Sequence, residues 1–175
     1  MEQRFGFIHD NMDLKVLILY LLKRLPAPVT YESLMDVTLL CDDGIGYFEF
    51  SECLAELVET EHVSLSDDLY TITEKGSLNG EITESGLPYS VRMRADKAAA
   101  ALSHMMKRDS MIVTTHEMRQ LGGFTVKLSM SDGVGPVISM ELLTGDDKQA
   151  KKMDSKFRQH AELVYSKIVD ILLED

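Results

Sequence analysis

FEFSECLAELVETEHVSLSDDLYTIT, residues 48–73, is the stretch that decides the fold. Its first part carries apolar residues at i, i+3, i+4, i+7 and i+8, the stripe of a helix that buries one face: Phe50, Cys53, Leu54, Leu57 and Val58. Residues 63–72 then alternate between apolar and polar on either side of Ser66-Asp67-Asp68, which is turn chemistry. We therefore predict one helix followed by a two-stranded hairpin.

Two further helices are predicted upstream of this segment. Asp13 is a candidate N-cap for a helix to about Leu25 that is apolar almost all the way round, as in a core or at a subunit interface. Pro26 and Pro28 end it, and Thr30 is expected to cap a second helix. The order of helix, short extended piece, helix, turn, helix and hairpin is typical of a winged helix-turn-helix.

The second half of the chain predicts a separate unit. After Pro88 comes an alanine-rich connector helix, and the apolar period then changes from helical to alternating in three segments separated by turns. These segments predict a three-stranded antiparallel meander, and a long helix to about Leu173 is expected to cover it. The fold class is therefore α+β, with a winged helix-turn-helix at 1–88 and a connector helix plus βββα unit at 89–175.

The phrase YTITEKG at 70–76 is typical of bacterial winged-helix regulators, in which a wing strand leads into a polar, glycine-bearing helix start, and here the chain resembles them. More narrowly, the chain resembles an uncharacterised family of small cytoplasmic bacterial proteins. Such proteins have an N-terminal winged helix and a C-terminal α/β extension, and the shared phrases are AELVE at 55–59 and YTITEKG. The resemblance implies the layout of the chain, but no activity and no functional residues.

The net charge of −11 lies in the first half of the chain. Residues 1–88 contain five Lys or Arg against seventeen Asp or Glu, whereas residues 89–175 contain thirteen against twelve. A DNA-binding surface gains most of its non-specific affinity by neutralising phosphates with Lys and Arg. The charge of the first domain therefore disfavours DNA as its partner.

Four glutamates of the predicted third helix are spaced i, i+3, i+7 and i+10 and are expected to share one exposed stripe: Glu49, Glu52, Glu56 and Glu59. In a DNA-reading winged helix this face enters the major groove, where carboxylates meet phosphates of their own sign. The helix sequence contains no Lys or Arg. Two interpretations stay open, an ordinary solvated face and a surface for a basic protein partner.

DNA binding stays open through cations outside the third helix. A dimer that binds DNA would reach phosphates with six residues of the first and connector helices: Lys15, Lys23, Arg24, Arg92, Arg94 and Lys97. The resemblance to regulators favours this possibility by analogy, and the acidic third helix opposes it.

Motifs for catalysis or metal binding are weak. The five histidines do not pair with another His or Cys at ligand spacing, and Gly44-Ile45-Gly46 is not followed by the rest of a phosphate-binding loop. Folding could bring Cys41 and His62 together, but plain core and surface roles are favoured for both. Eight methionines of the second half suit core packing better than an adaptable ligand pocket. We predict no catalytic residue, no cofactor and no metal.

The location and function follow from these patterns. The chain has no apolar run near the ~20 residues of a membrane span, no signal-peptide layout at its start, and only two cysteines, so we expect a cytoplasmic protein. We favour a non-enzymatic winged-helix protein of transcription-regulator type. The apolar first helix and the connector helix suggest that it is a homodimer, with residues 89–175 as a dimerisation or sensing unit. The alternative is a protein-interaction module that keeps the fold and binds a basic protein instead of DNA.

Overall fold

The structure is a computed structural model that describes residues 7, 8 and 10–174. Within these residues the protein has a mixed α+β fold of six α-helices and two three-stranded antiparallel sheets. The helices are α1 (Asn11–Arg24), α2 (Tyr31–Leu39), α3 (Tyr47–Glu59), α4 (Glu74–Thr83), α5 (Tyr89–Ser110) and α6 (Asp147–Leu173). The strands are β1 (Val29–Thr30), β2 (Val63–Ser66), β3 (Leu69–Ile72), β4 (Ile112–Met118), β5 (Phe124–Ser131) and β6 (Pro136–Thr144).

Two compact units share the chain, and the division between them falls inside α5. One unit ends at Met106 and the other begins at Lys107. Three residues of α5 belong to the core of the first unit: Val91, Ala95 and Ala99. The sequence places the domain boundary at Pro88, where α5 begins, and that boundary stays a prediction.

Helix α1 is the centre of the first unit. Eight of its fourteen residues are buried, and α2, α3 and α4 all contact it. Its N-cap is Asp10 rather than Asp13, because the Asp10 side chain accepts a hydrogen bond from the Asp13 N–H, with 2.8 Å between oxygen and nitrogen. Asp13 lies in the first turn, where its charge suits the positive end of the helix dipole. The predicted cap was therefore wrong by three residues.

The hairpin predicted after the third helix is confirmed, and β1 joins it in the order β1-β3-β2. Ser66 pairs with Leu69, which leaves Asp67 and Asp68 as the two turn residues. Their φ angles are 51° and 60°, as a two-residue turn of type I′ requires. Aspartate tolerates this left-handed conformation better than most residues do.

Helix α3 ends in a Schellman motif. The N–H of His62 donates to the carbonyl of Leu57 at 2.9 Å, and the N–H of Glu61 donates to the carbonyl of Val58 at 3.0 Å. Glu61 has a φ of 60°, the left-handed conformation that this cap uses and that glycine usually supplies. The cap directs the chain into β2.

The phrase at 70–76 joins the hairpin to the end of α3, and we call residues 60–62 and 73–76 the α3–α4 joint. Thr73 caps α4, because its Oγ1 accepts the N–H of Gly76 at 3.0 Å. The same hydroxyl lies 3.0 Å from the carbonyl oxygen of His62, and the Thr73 N–H donates to that carbonyl at 3.0 Å. One threonine therefore starts α4 and holds it against the segment that follows α3.

Two further residues complete this joint. The Lys75 Nζ donates to the carbonyl of Thr60 at 2.7 Å, at the end of α3 where helix carbonyls lack intrahelical partners. A Cβ added to Gly76 would lie 2.0 Å from the carbonyl oxygen of His62, so only glycine allows this approach. Residues 70–76, which resemble a segment of winged-helix regulators, thus serve to pack α4 against the end of α3.

Asp42 is a buried carboxylate in the turn between α2 and α3, where only 1% of the residue is exposed. Its Oδ2 accepts the backbone N–H groups of Phe7 and Ile8, at 2.5 and 3.3 Å. Its Oδ1 accepts the N–H of Gly44 at 2.8 Å. Three backbone donors satisfy this buried charge and fix the start of the described chain to the turn.

The second unit is the predicted meander, in the order β4-β5-β6, with α6 against one face. Alternate residues of β5 are buried, as the alternating apolar pattern predicts: Val126, Leu128 and Met130. Asp146 caps α6 and accepts the N–H of Gln149 at 2.8 Å. The apolar residues at the end of the helix are open, with Ile171 70% exposed.

Candidate functional site

The exposed side of α3 combines aromatic and acidic side chains. Phe48 is 85% exposed and Tyr47 54% exposed, and their rings lie 5.7 Å apart in an edge-to-face arrangement. Glu52, Ala55 and Glu59 are also exposed on this helix. We call these five residues the α3 outer face. Large exposed aromatic rings beside acids are typical of contact surfaces for proteins rather than for phosphates.

The structure divides the predicted stripe of four glutamates. Glu52 and Glu59 lie on the α3 outer face, whereas Glu49 and Glu56 are half-buried. The Oε2 of Glu49 accepts the N–H of Gly46 at 2.7 Å and so stabilises the first turn of α3. Two members of the stripe are therefore open to a partner, and a third has a role at the helix start.

Glu56 forms an ion pair with Lys15 of α1. This hydrogen bond is the largest cause of a raised pKa for Lys15, and the nearby Glu52 carboxylate adds to it. Lys15 therefore stays cationic at neutral pH, but a carboxylate of its own unit already balances its charge. Contact with a DNA phosphate would compete with that pair.

The other two α1 cations among the predicted phosphate contacts are paired as well. Lys23 binds Glu81 of α4, and the Arg24 Nε donates to Asp96 Oδ1 at 2.7 Å. The guanidinium carbon of Arg24 lies 3.3 Å from the centroid of the Tyr20 ring. The Tyr20 hydroxyl donates to the same Asp96 oxygen at 2.8 Å, and burial followed by this bond raises its pKa to about 12.

The three cations of α5 differ in their surroundings. Arg94 and Lys97 are exposed, whereas Arg92 is half-buried. The Nε of Arg92 is buried and makes no hydrogen bond to any residue that the structure describes. Arg94 and Lys97 are therefore the exposed members of the predicted set for which we observe no bound carboxylate in the described part of the chain. Either of them can contact a phosphate without first breaking an observed ion pair. The assignment of all six as phosphate contacts stays a prediction.

The aromatic part of the α3 outer face escaped the sequence interpretation. Tyr47 and Phe48 precede the apolar stripe that begins at Phe50, and the sequence interpretation used only that stripe. The available signal was Phe48, which comes two residues before Phe50 and so lies on the other side of the helix from the stripe, because a large apolar side chain outside the buried stripe must face solvent or a partner.

Cys41 and His62 have separate local roles. The Cys41 thiol is buried and donates to the carbonyl of Val37 at 3.1 Å, and burial raises its pKa to about 12. The ring of His62 bonds to the side chains of Thr60 and Asn79. The described residues contain no group of three or more His, Cys, Asp and Glu that could hold a metal ion.

A polar cluster of the second unit surrounds His116, at the contact of β4 with α6. Its Nδ1 lies 2.5 Å from Asp154 Oδ2 and its Nε2 lies 3.3 Å from Asp147 Oδ1. These contacts fasten the first turns of α6 to the sheet. The methionines are divided, since Met130 is buried, Met140 and Met153 pack against the core, and others such as Met118 are exposed.

The family called Domain of unknown function (DUF4364) matches residues 14–172, and the chain belongs to this family. No curated protein and no solved structure matches it. The expected resemblance to a family without an assigned function is thus confirmed at that level. Among the described residues, no helix combines the length and apolar character that crossing a membrane requires.

Proposed function

We propose that this member of the DUF4364 family is a non-enzymatic regulatory protein built on a winged helix-turn-helix. The arrangement of its first unit supports the proposal. Helices α1, α2 and α3 precede the β2–β3 hairpin, β1 lies between α1 and α2, and β1 pairs with β3. In a winged helix this order places the third helix beside the hairpin, or wing, as a surface for recognition.

DNA is the first partner to test, because the fold type is that of transcription regulators. The exposed Arg94 and Lys97 would supply the phosphate contacts that α3 lacks. The experiment is fluorescence anisotropy of a labelled mixed-sequence duplex at low and at near-physiological salt. Binding that weakens steeply with salt supports DNA recognition, and no binding even at low salt removes it.

A double variant makes the DNA test specific to these residues. Arg94→Ala with Lys97→Ala is expected to reduce the salt slope of any duplex binding by about 2 for each protomer that contacts the duplex, because each phosphate contact contributes close to one counterion. Lys127→Ala is the matched control, since Lys127 is an exposed cation of the second unit. An unchanged slope in the double variant would place the phosphate contacts elsewhere.

Protein recognition is the second candidate, and the α3 outer face favours it. Its exposed rings and its two open carboxylates, Glu52 and Glu59, complement a basic segment that carries apolar or arginine side chains. The cations Lys15, Lys23 and Arg24 are bound by carboxylates of the same unit, so the first unit offers little positive charge beside this face.

Charge reversal tests this candidate. Glu52→Lys with Glu59→Lys should leave the fold intact, because neither side chain is buried, and should abolish retention of a basic partner on the immobilised protein. Phe48→Ser should have the same effect by removing the main apolar contact. Glu141→Lys with Asp170→Lys makes the same charge change on the second unit and should retain the partner. Retention that is equal in all three variants contradicts this use of the α3 outer face.

The proposal includes a homodimer. Its interface is expected at the end of α6 rather than at α1. The apolar character of α1 suggested dimerisation, but α1 is buried within its own unit. The exposed apolar side chains at the end of α6 are the better candidates: Ile171, Leu172 and Leu173. We expect sedimentation at micromolar concentration to give a dimer for the natural protein and a monomer for Leu172→Glu. A natural protein that sediments as a monomer refutes the dimer.

A further inference from the structure

A cavity of about 340 Å³ lies in the first unit between α1, the end of α3 and α4. Val16, Leu19 and Leu57 form its apolar wall, and all three are buried. Its polar lining includes His62 of the α3–α4 joint and Asn79 of α4, whose side chains form a hydrogen bond with each other. The cavity is open to solvent on the side of Met12, Thr60, Asn79 and Thr83, which are exposed. An apolar cleft with a few polar groups at its rim is a common form of a small-molecule site.

The hydrogen bonds at this polar side have a fixed direction. The Thr60 hydroxyl donates to the carbonyl of Glu56 at 2.6 Å, so its oxygen can only accept from His62 Nδ1, at 2.9 Å. The Nδ1 of His62 therefore carries the proton. The Nε2 has none and accepts from the Asn79 Nδ2 at 2.6 Å. The ring is the neutral tautomer, held between two side chains.

The charges around the cavity are balanced. Burial and the nearby Lys75 cation lower the pKa of His62 and so favour the neutral ring. Lys15 also lines the cavity, but Glu56 pairs with it. An ionic ligand would have to displace that pair, whereas an uncharged ligand would leave it in place. The Asn79 Oδ1 offers an acceptor at the exposed rim of the cavity, and no hydrogen bond to it from the residues that the structure describes is observed.

We propose that this cavity binds a small uncharged molecule with an apolar, two-ring-sized body and one hydroxyl or amide N–H, which donates to the Asn79 side-chain oxygen. The size follows from the volume, since benzene occupies an apolar cavity of about 150 Å³ and this cavity is about 340 Å³. The ligand would bridge α1, α3 and α4. It would thereby stabilise α3 against the core, whichever macromolecule the α3 outer face recognises.

The test uses the full chain and 2-naphthol, an uncharged two-ring alcohol, as the probe. We expect 2-naphthol to bind with a Kd below about 1 mM and to raise the melting temperature. Leu19→Phe should abolish the binding because the added ring occupies the cavity. Asn79→Ala should weaken it about three- to tenfold, the range of one net hydrogen bond. Ser77→Ala, on the same helix but outside the cavity lining, is the matched control and should bind as the natural protein does.

Two analogues separate the parts of the proposal. The donor-free 2-methoxynaphthalene should bind the natural protein and Asn79→Ala alike, and the anionic 2-naphthoate should bind more weakly than 2-naphthol. If Leu19→Phe does not fold, this comparison of analogues across Asn79→Ala decides the matter. The proposal is overturned if 2-naphthol produces no shift in the natural protein, if 2-naphthoate binds more tightly, or if Asn79→Ala changes neither probe.

Discussion

The two units stabilise their helices in different ways. In the first unit, eight of the fourteen residues of α1 are buried. In the second unit, three of the 27 residues of α6 are buried, and most of its other residues are exposed or half-buried. A helix enclosed on most sides makes stability depend on a few side chains, whereas a helix on one face of a sheet distributes it along the contact. Mutations should therefore have sharper effects in the first unit.

The two units also differ at the positions with left-handed backbone. In the described part of the first unit, the residues with positive φ are Glu61, Asp67 and Asp68, whereas in the second unit they are all glycines: Gly122, Gly123 and Gly133. Glycine adopts this conformation without steric cost, and other residues adopt it less readily. The first unit thus places residues other than glycine in this conformation at the end of α3 and at the hairpin tip.

The largest expected difference between the units is in their cores. Leu17→Ala, at a site with no exposed area, should lower the free energy of unfolding by about 3 to 5 kcal/mol, because it leaves a cavity beside a rigid helix. Met140→Ala, on the half-covered strand β6, should cost about 1 kcal/mol. Urea denaturation of both variants measures these losses. Equal losses would contradict the contrast between an enclosed and a one-sided core.

A second contrast concerns two glycines that approach backbone carbonyls. Gly76→Ala should destabilise by about 3 kcal/mol, the upper end for an overpacked site, because the new Cβ would meet the His62 carbonyl oxygen at 2.0 Å. Gly123→Ala, with 2.8 Å to the Thr144 carbonyl oxygen and a φ of 77°, should cost about 1 to 2 kcal/mol. Gly86→Ala meets no atom within 4 Å and is the control. Thermal or urea unfolding orders the three, and a Gly76→Ala protein as stable as the control would refute the close contact.

The α3–α4 joint should also respond to pH. The pKa of His62 is lowered in the folded protein, so the folded state binds fewer protons than the unfolded state as pH falls through about 6.5, the ordinary value. Stability present above that pH should decrease on acidification. His62→Gln removes the titrating ring, so its melting temperature should fall less than that of the natural protein between pH ~7.5 and ~5.5. Parallel curves for the two proteins would show that His62 does not contribute.

The smallest effect is expected from relieving strain at the end of α3. Glu61→Gly places glycine at the left-handed residue of the Schellman motif, where φ is 60°, and should raise the free energy of unfolding by about 0.5 to 1 kcal/mol. The gain is limited because glycine also increases the entropy of the unfolded chain. Gly122→Ala, at a φ of 89°, is the reverse exchange in the second unit and should destabilise. A loss of stability in Glu61→Gly would mean that the glutamate side chain has a role of its own.

Local patterns of the sequence predicted the elements well. The periods of the apolar residues and their caps predicted the meander and all the described helices except α4, whose buried residues are the glycines Gly76 and Gly80. Ser66-Asp67-Asp68 predicted the hairpin turn, because these features depend on neighbours within a few residues. The N-cap of α1 was predicted at the wrong residue, because two nearby residues satisfy the same local pattern. Asp10 and Asp13 are both good caps, and only the packed structure decides which one starts the helix.

Contacts between distant segments could not be predicted in this way. The pairing of Glu56 with Lys15 joins residues 41 positions apart, so the sequence alone made both of them free surface charges. The cavity is formed by α1, the end of α3 and α4, and no single stretch carries its signature. A local sequence pattern contains no information about a contact residue that lies far away in the sequence and comes close only when the chain folds.

The stability of the first unit depends on Phe7 and Ile8, because both bind the carboxylate of Asp42. Its Oδ2 holds the N–H groups of Phe7 and Ile8 in a buried environment. Loss of these two residues would remove two of the three backbone donors of Asp42 and open its side chain to water. The stability of the first unit therefore depends on a segment that precedes all of its described helices and strands.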